Sequence, residues 1–267
     1  MLVCGVAALG QATSVTPRFL PALGKSVVVR EESRLEVDTR IKGPDDREIR
    51  RRREAITESV EMTVTVLDTR EGVPTRLTHF YKRAQVKRDG EATPLPWHGK
   101  TLQITLRDGK ALAEATEGGA LKAEQAEALV KALPPRLPAL LSAFLPGKPV
   151  RPGEEWEVSA ALAARGLRQE VQPRGSWVKG KLVKSVRRGG SRFGVVEVQG
   201  ELALADGKAE LRARMDGCLD GASTLGAYRV DVTVTGWKEV KEKGRLLKVG
   251  GVTRSTMTLE VGEEATP

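Results

Sequence analysis

The sequence predicts a mainly antiparallel β protein, α+β in class, whose one or two curved sheets or half-barrel carry a few central helices over the concave face. Three observations predict it. Apolar and polar residues alternate along most of the chain, as in Val60, Met62, Val64 and Val66, which marks strands with one buried face. Asp-Gly pairs at 89–90, 108–109, 206–207 and 216–217 punctuate these runs; Asp-Gly suits hairpin turns because such turns need positive φ. Helical patterning is confined to the middle of the chain.

Residues 1–12 read as the tail of a secretory signal peptide. Leu2 to Leu9 is an apolar run, and Gly10-Gln11-Ala12 places small residues at both cleavage-determining positions. A buried first strand or a disordered N-terminus is the competing reading of the same residues. Cys4-Gly5 offers an acylated lipoprotein junction. No other stretch is long and apolar enough to span a membrane.

Val27 to Thr39 reads as a strand, followed by alternating runs at Glu58–Asp68 and Arg76–Val86 around the turn signal Glu71-Gly72. The charged stretch from Asp45 to Ile56 fits either a strand extension or a helix. Leu102, Ile104 and Leu106 share one face of a hairpin arm, with Leu112 in the return arm beyond Asp108-Gly109. Ala120 to Leu133 is rich in good helix formers and stops at Pro134-Pro135. Leu137, Leu140, Leu141, Phe144 and Leu145 then recur at helical spacing and form one apolar face. Ser159 and Gly166 cap a further short helix. Strand patterns resume to the end, with turns expected at Gly189-Gly190 and Lys243-Gly244. The organisation is a leader (1–12), a β-rich body (13–261) and a disordered tail (262–267). The body is one domain, or two β lobes (25–116 and 167–261) joined by a helical centre (117–166).

Aromatic residues make up 4% of the chain, so Val, Leu and Ala must build the core. The net charge is +9, and the segment Arg165–Arg192 carries nine bases against one acid, Glu170. Lys179, Lys181, Lys184, Arg187 and Arg188 are therefore candidates for contact with an anionic membrane surface; a solvated strand edge guarded by cations is the alternative. Arg50 to Arg53 is flanked by Asp45, Asp46, Glu48 and Glu54, with no stacking aromatics nearby, so no nucleic-acid partner is expected. His79 and His98 have neither ligand spacing nor triad partners, and adjacent acids such as Glu154-Glu155 point to opposite faces of a strand. No enzymatic activity, metal or cofactor is expected. Cys218 reads as a buried small hydrophobe and Trp156 as a core anchor.

The run L-P-x-K-P-V-x-P-G-E-x-W from Leu145 to Trp156, followed by a short helix and long strands, resembles uncharacterised bacterial secreted proteins and lipoproteins. The resemblance implies a β-rich chain in the style of lipoprotein-carrier half-barrels and carries no active-site residues with it.

The function expected is a non-enzymatic, periplasmic or envelope-associated binding protein holding an amphiphile, lipid or lipidated partner in a concave apolar sheet. Leu137, Leu140, Leu141, Phe144 and Leu145 are the candidate cavity or lid residues. A structural component that binds another envelope protein is the alternative, an unrecognised enzyme the third reading. Oligomeric state is left open.

Overall fold

The computed structural model describes residues 12–17, 20–70, 73–107, 110–132, 143–166, 171–188, 190–224, 226–242 and 245–263. Twelve strands form one antiparallel sheet. They are β1 (Ser26–Lys42), β2 (Glu48–Arg70), β3 (Val73–Arg88), β4 (Glu91–Pro94), β5 (Thr101–Arg107), β6 (Lys110–Glu117), β7 (Glu155–Glu157), β8 (Gln172–Arg188), β9 (Ser191–Leu204), β10 (Gly207–Cys218), β11 (Gly226–Glu242) and β12 (Arg245–Glu263). The spatial order is β6-β5-β3-β2-β1-β12-β11-β10-β9-β8-β7, with β4 paired to β3 off this path. The chain thus runs outward from β1 to the β6 edge, resumes at the opposite edge with β7 and runs inward to β12, and the β1–β12 pairing joins the two arms. Edge strands β6 and β7 do not meet, so the sheet is curved but unclosed. Bulges between Leu182 and Lys184 and between Glu61 and Met62 add local twist.

Two helices, α1 (Ala123–Ala132) and α2 (Ala160–Gly166), lie among the described residues. Leu129 of α1 and Ala163 and Ala164 of α2 are buried in the common core, so the helical centre packs on the sheet as the apolar spacing required. The charged stretch after Asp45 is strand, the first third of β2. Helix is disfavoured there because alternation along β1 and β2 puts Arg51 and Arg53 beside Asp38, giving the charges cross-strand partners.

Asp89 (φ 50°) and Gly90 (φ 94°) form the turn between β3 and β4, as the sequence requires. The next hairpin is displaced by one residue. Leu204 pairs with Gly207, so Ala205 and Asp206 make the turn and Gly207 opens β10. Asp216-Gly217 is not a turn at all but lies within β10, opposite Ala227 and Gly226. At Gly226 and Gly194, the cross-strand partners of Gly217, glycine gives space: a Cβ there would strike the Tyr228 or Leu219 side chain. Asp108-Gly109, Glu71-Gly72, Gly189 and Lys243-Gly244 fall outside the described residues, but the strands flanking each of these turns pair as hairpins.

Thr13 exchanges backbone hydrogen bonds with Val150 (2.7 and 2.9 Å), and Thr16 N–H donates to the Leu219 carbonyl (2.6 Å). The chain is therefore held to the body from Thr13 onward, with Val15 buried in the core.

Candidate binding site

Cross-strand pairs in an antiparallel sheet share a face, so the register assigns every residue to an inner or an outer face. At one end of the inner face, Val27 and Val29 of β1 lie between Val64 and Met62 of β2 and Val261 of β12. His79, Tyr81, Leu102 and Ile104 extend this end across β3 and β5. Val196, Val198, Leu202, Leu211, Ala213 and Tyr228 extend it the other way. All are buried. Their cover includes Leu129, Trp97, Phe144, Val150 and Trp156.

Trp156 fixes part of that cover. It pairs with Gly180, where any Cβ would collide with its indole, and its Nε1–H donates to the Phe144 carbonyl at 2.9 Å. His79 is 5% exposed, with Nδ1 3.3 Å from the Tyr81 hydroxyl. Burial lowers its pKa to about 4, so it is neutral near pH 7. Desolvation likewise pushes the Tyr81 hydroxyl upward.

The inner face continues past this cover. Along β1 the next inward residues are Glu31, Ser33, Leu35, Val37, Thr39 and Ile41, with Glu58 of β2 opposite Ser33; along β12, beyond Leu259, they are Met257, Ser255, Thr253, Gly251, Val249 and Leu247; along β11 they are Val232, Val234, Gly236, Lys238 and Val240. Leu35 is 36% exposed, and Val37, Ile41, Leu247 and Val249 are half-buried. The long strands make this extension: β3 reaches only Ile56 of β2 and β10 only Gly236 of β11, so the ends of β2, β1, β12 and β11 project beyond both.

A row of glycines, the crease, crosses the sheet at the Gly207 end of β10. Gly207, Gly236 and Gly251 are in register on three adjacent strands. Gly251 has φ 150°, and its absent Cβ would overlap the Asp38 carbonyl oxygen. Equivalent overlaps at Gly207 and Gly236 would be with the carbonyl oxygens of Thr235 and Asp206. Only glycine permits such close backbone approach. Over the crease lies a cleft of about 540 Å³ bordered by Val37, Thr39, Val234, Gly236, Gly251 and Thr253, within the range of small-molecule sites, ~300–1,000 Å³. A second cleft of about 260 Å³, lined by Val37, Thr39, Ile41, Arg50, Arg52 and Glu54, adjoins it through Val37 and Thr39.

The outer face is charged and internally paired. Arg51 grips Asp38 with both Nε (2.8 Å) and Nη2 (2.5 Å), and Arg53 Nε lies 3.7 Å from the same carboxylate. Hydrogen bonds from Arg51, then Arg40, hold the Asp38 carboxyl well below the usual range.

Lys179, Lys181 and Lys184 are exposed on this outer face of β8, with Arg187 and Arg188 exposed at its end. Lys181 pairs with Glu155 of β7 at 3.3 Å and sits opposite Glu197, which Arg214 holds at 2.5 Å. Lys179 and Lys181 are thus set beside acids of β7, whereas Lys184, Arg187 and Arg188 face Val195, Arg192 and Ser191 of β9. Of the candidate lid residues, Phe144 is fully buried and Leu145 half-buried against the core. Leu137, Leu140 and Leu141 lie outside the described residues, as does Cys4. Cys218 is buried and its thiol donates to Asp220 Oδ1 at 3.0 Å. His98 Nδ1 accepts the Ala84 N–H at 3.1 Å. Among the described residues no cluster of three or more His, Cys, Asp or Glu is arranged to hold a metal ion, and no helix is long and apolar enough to cross a membrane.

The uncovered trough was only half visible beforehand. Val230, Val232 and Val234 read as one strand face, but the register that sets them beside Val37 and Val249 is long-range.

No protein-family model and no curated protein matches the chain. Among solved structures it is similar to lipovitellin, described for its lipid–protein interactions, at 9% identity and a TM-score of 0.45, over 94% of this chain and 26% of that one. It is also similar to the toluene transporter TodX of P. putida at 5% identity and a TM-score of 0.25, over 92% of each chain. The chain spans about a quarter of lipovitellin. Both likenesses are weak, and neither assigns a function to this β-rich chain.

Proposed function

We propose that this chain is a non-enzymatic envelope binding protein that holds the apolar part of an amphiphile along the uncovered stretch of its concave face. One observation carries the reading: the apolar inner face does not end where its cover ends. Val37 and Val249 remain half-buried beside a cleft of about 540 Å³, and Ile41 beside the smaller one that adjoins it. Apolar surface left facing water costs roughly 25 cal/mol per Å² relative to burial, and a contiguous exposed patch is a mark of an interaction site. The row of glycines leaves no side chains in the way of an occupant. The envelope part of the reading rests on the signal-like residues 1–12.

Native mass spectrometry of the full chain after gentle purification tests it. The expected spectrum contains a non-covalent adduct of amphiphile mass that organic extraction removes and added amphiphile restores. A protein that purifies empty and takes up no added amphiphile would overturn the reading.

A further inference from the structure

The run Arg50-Arg51-Arg52-Arg53 is divided by the strand pleat into two pairs with different fates. Arg51 and Arg53 point outward and share Asp38. Arg50 and Arg52 point inward, opposite Ile41 and Thr39. Both are exposed and line the smaller cleft together with Val37 and Ile41. Arg52 reaches Glu54, whereas Arg50 has no carboxylate within ion-pair distance among the described residues. Lys238 of β11 borders the adjoining larger cleft. The far end of the trough therefore presents three cations against Glu54, directly beyond a floor in which Val37, Ile41, Val234 and Val249 alternate with Thr39, Thr253 and glycine.

We propose that Arg50 and Arg52 are the headgroup end of the site, and that the amphiphile it takes is a long-chain molecule with an anionic oxygen headgroup. This rests on the trough reading above and adds the class of ligand. Charge complementarity supports it: a guanidinium presents a planar fork of donors that matches an oxyanion bidentately and makes hydrogen bonds about twice as strong as neutral ones. A site for an uncharged apolar molecule has no use for cations at its open end. The first third of β2 is paired to β1 alone, with no strand on its other edge before Ile56, which leaves the approach to both side chains open.

The test is displacement of an uncharged apolar fluorophore from the full chain by dodecanoate and by dodecanol, each below its aggregation concentration. Dodecanoate is expected to displace at a concentration about tenfold lower or more, the equivalent of ~1.4 kcal/mol. In R50Q/R52Q that preference disappears while dodecanol affinity stays the same. In R51Q/R53Q, on the outer face, the preference persists. Equal displacement by both ligands in the wild type would overturn the headgroup assignment and leave the trough intact. A preference that survives in R50Q/R52Q would overturn it too, as would a loss of dodecanol binding alongside it, which would make the arginines structural. If neither the fluorophore nor either ligand binds, the trough reading itself falls, and this proposal with it.

Discussion

The inner face of this sheet has two ends made by the same device, and they differ in what lies over them. At the covered end, alternation points Val27, Val64, Leu102 and Leu211 inward beneath Trp97, Phe144 and Trp156, and each is essentially removed from water. At the far end, alternation points Val37, Ile41, Val249 and Leu247 inward in the same way, but they stay only partly buried. Pattern alone decides which face a side chain joins; burial depends on whether another element reaches it. The helical centre covers one end, and the ribbon formed by the tips of β2, β1, β12 and β11 extends beyond it.

The largest effect expected from this contrast is at Phe144. It is fully buried and its carbonyl accepts the Trp156 indole, so Phe144→Ala should cost about 3–5 kcal/mol in urea unfolding. A loss under about 1 kcal/mol would mean that the covered end is as loosely packed as the trough.

The crease comes next. Gly236→Val puts a side chain where the Asp206 carbonyl already sits. The backbone must shift, for about 3 kcal/mol, and fluorophore binding should fall as the cleft fills. A variant of wild-type stability would show that the crease tolerates a side chain.

His79 gives the covered end a pH signature. Its folded pKa, about 4, lies below the unfolded value near 6.5. Below pH 6.5 the unfolded chain therefore binds more protons, and stability falls as pH falls towards the folded pKa. Between pH 7 and pH 5 the loss should be about 2 kcal/mol, and His79→Gln should flatten it. A flat wild-type profile over that window would place His79 in contact with water.

The smallest effect belongs to the trough. Val37→Ala removes methyl groups that are only half-buried, so it should cost less than about 1 kcal/mol. A cost of Phe144 size would show that the far end is covered in solution.

Much of the strand plan was legible in the sequence, because period-two alternation and Asp89-Gly90 act locally. What was missed followed from distance. Nothing near Val37 announces that β12 returns to pair with β1, since that register joins residues more than two hundred positions apart. The charged stretch after Asp45 stayed ambiguous because its partner charge, Asp38, lies across a hairpin. Arg50–Arg53 looked locally neutralised in one dimension, and only the pleat separates the paired arginines from those facing the cleft. Asp206-Gly207 and Asp216-Gly217 misled because glycine also occurs inside strands: Gly207 opens the crease, and Gly217 lies within β10 between Gly226 and Gly194, which are themselves closely packed.

The central claim is that the uncovered end of the inner face holds an apolar chain, and titration of the full chain with an uncharged apolar fluorophore tests it most directly. Saturable binding is expected. It should be lost in V37Q/V249Q, whose two polar replacements line the clefts, while the melting temperature changes little because both positions are only partly buried. Binding that never saturates, or that V37Q/V249Q leaves untouched, would contradict the claim.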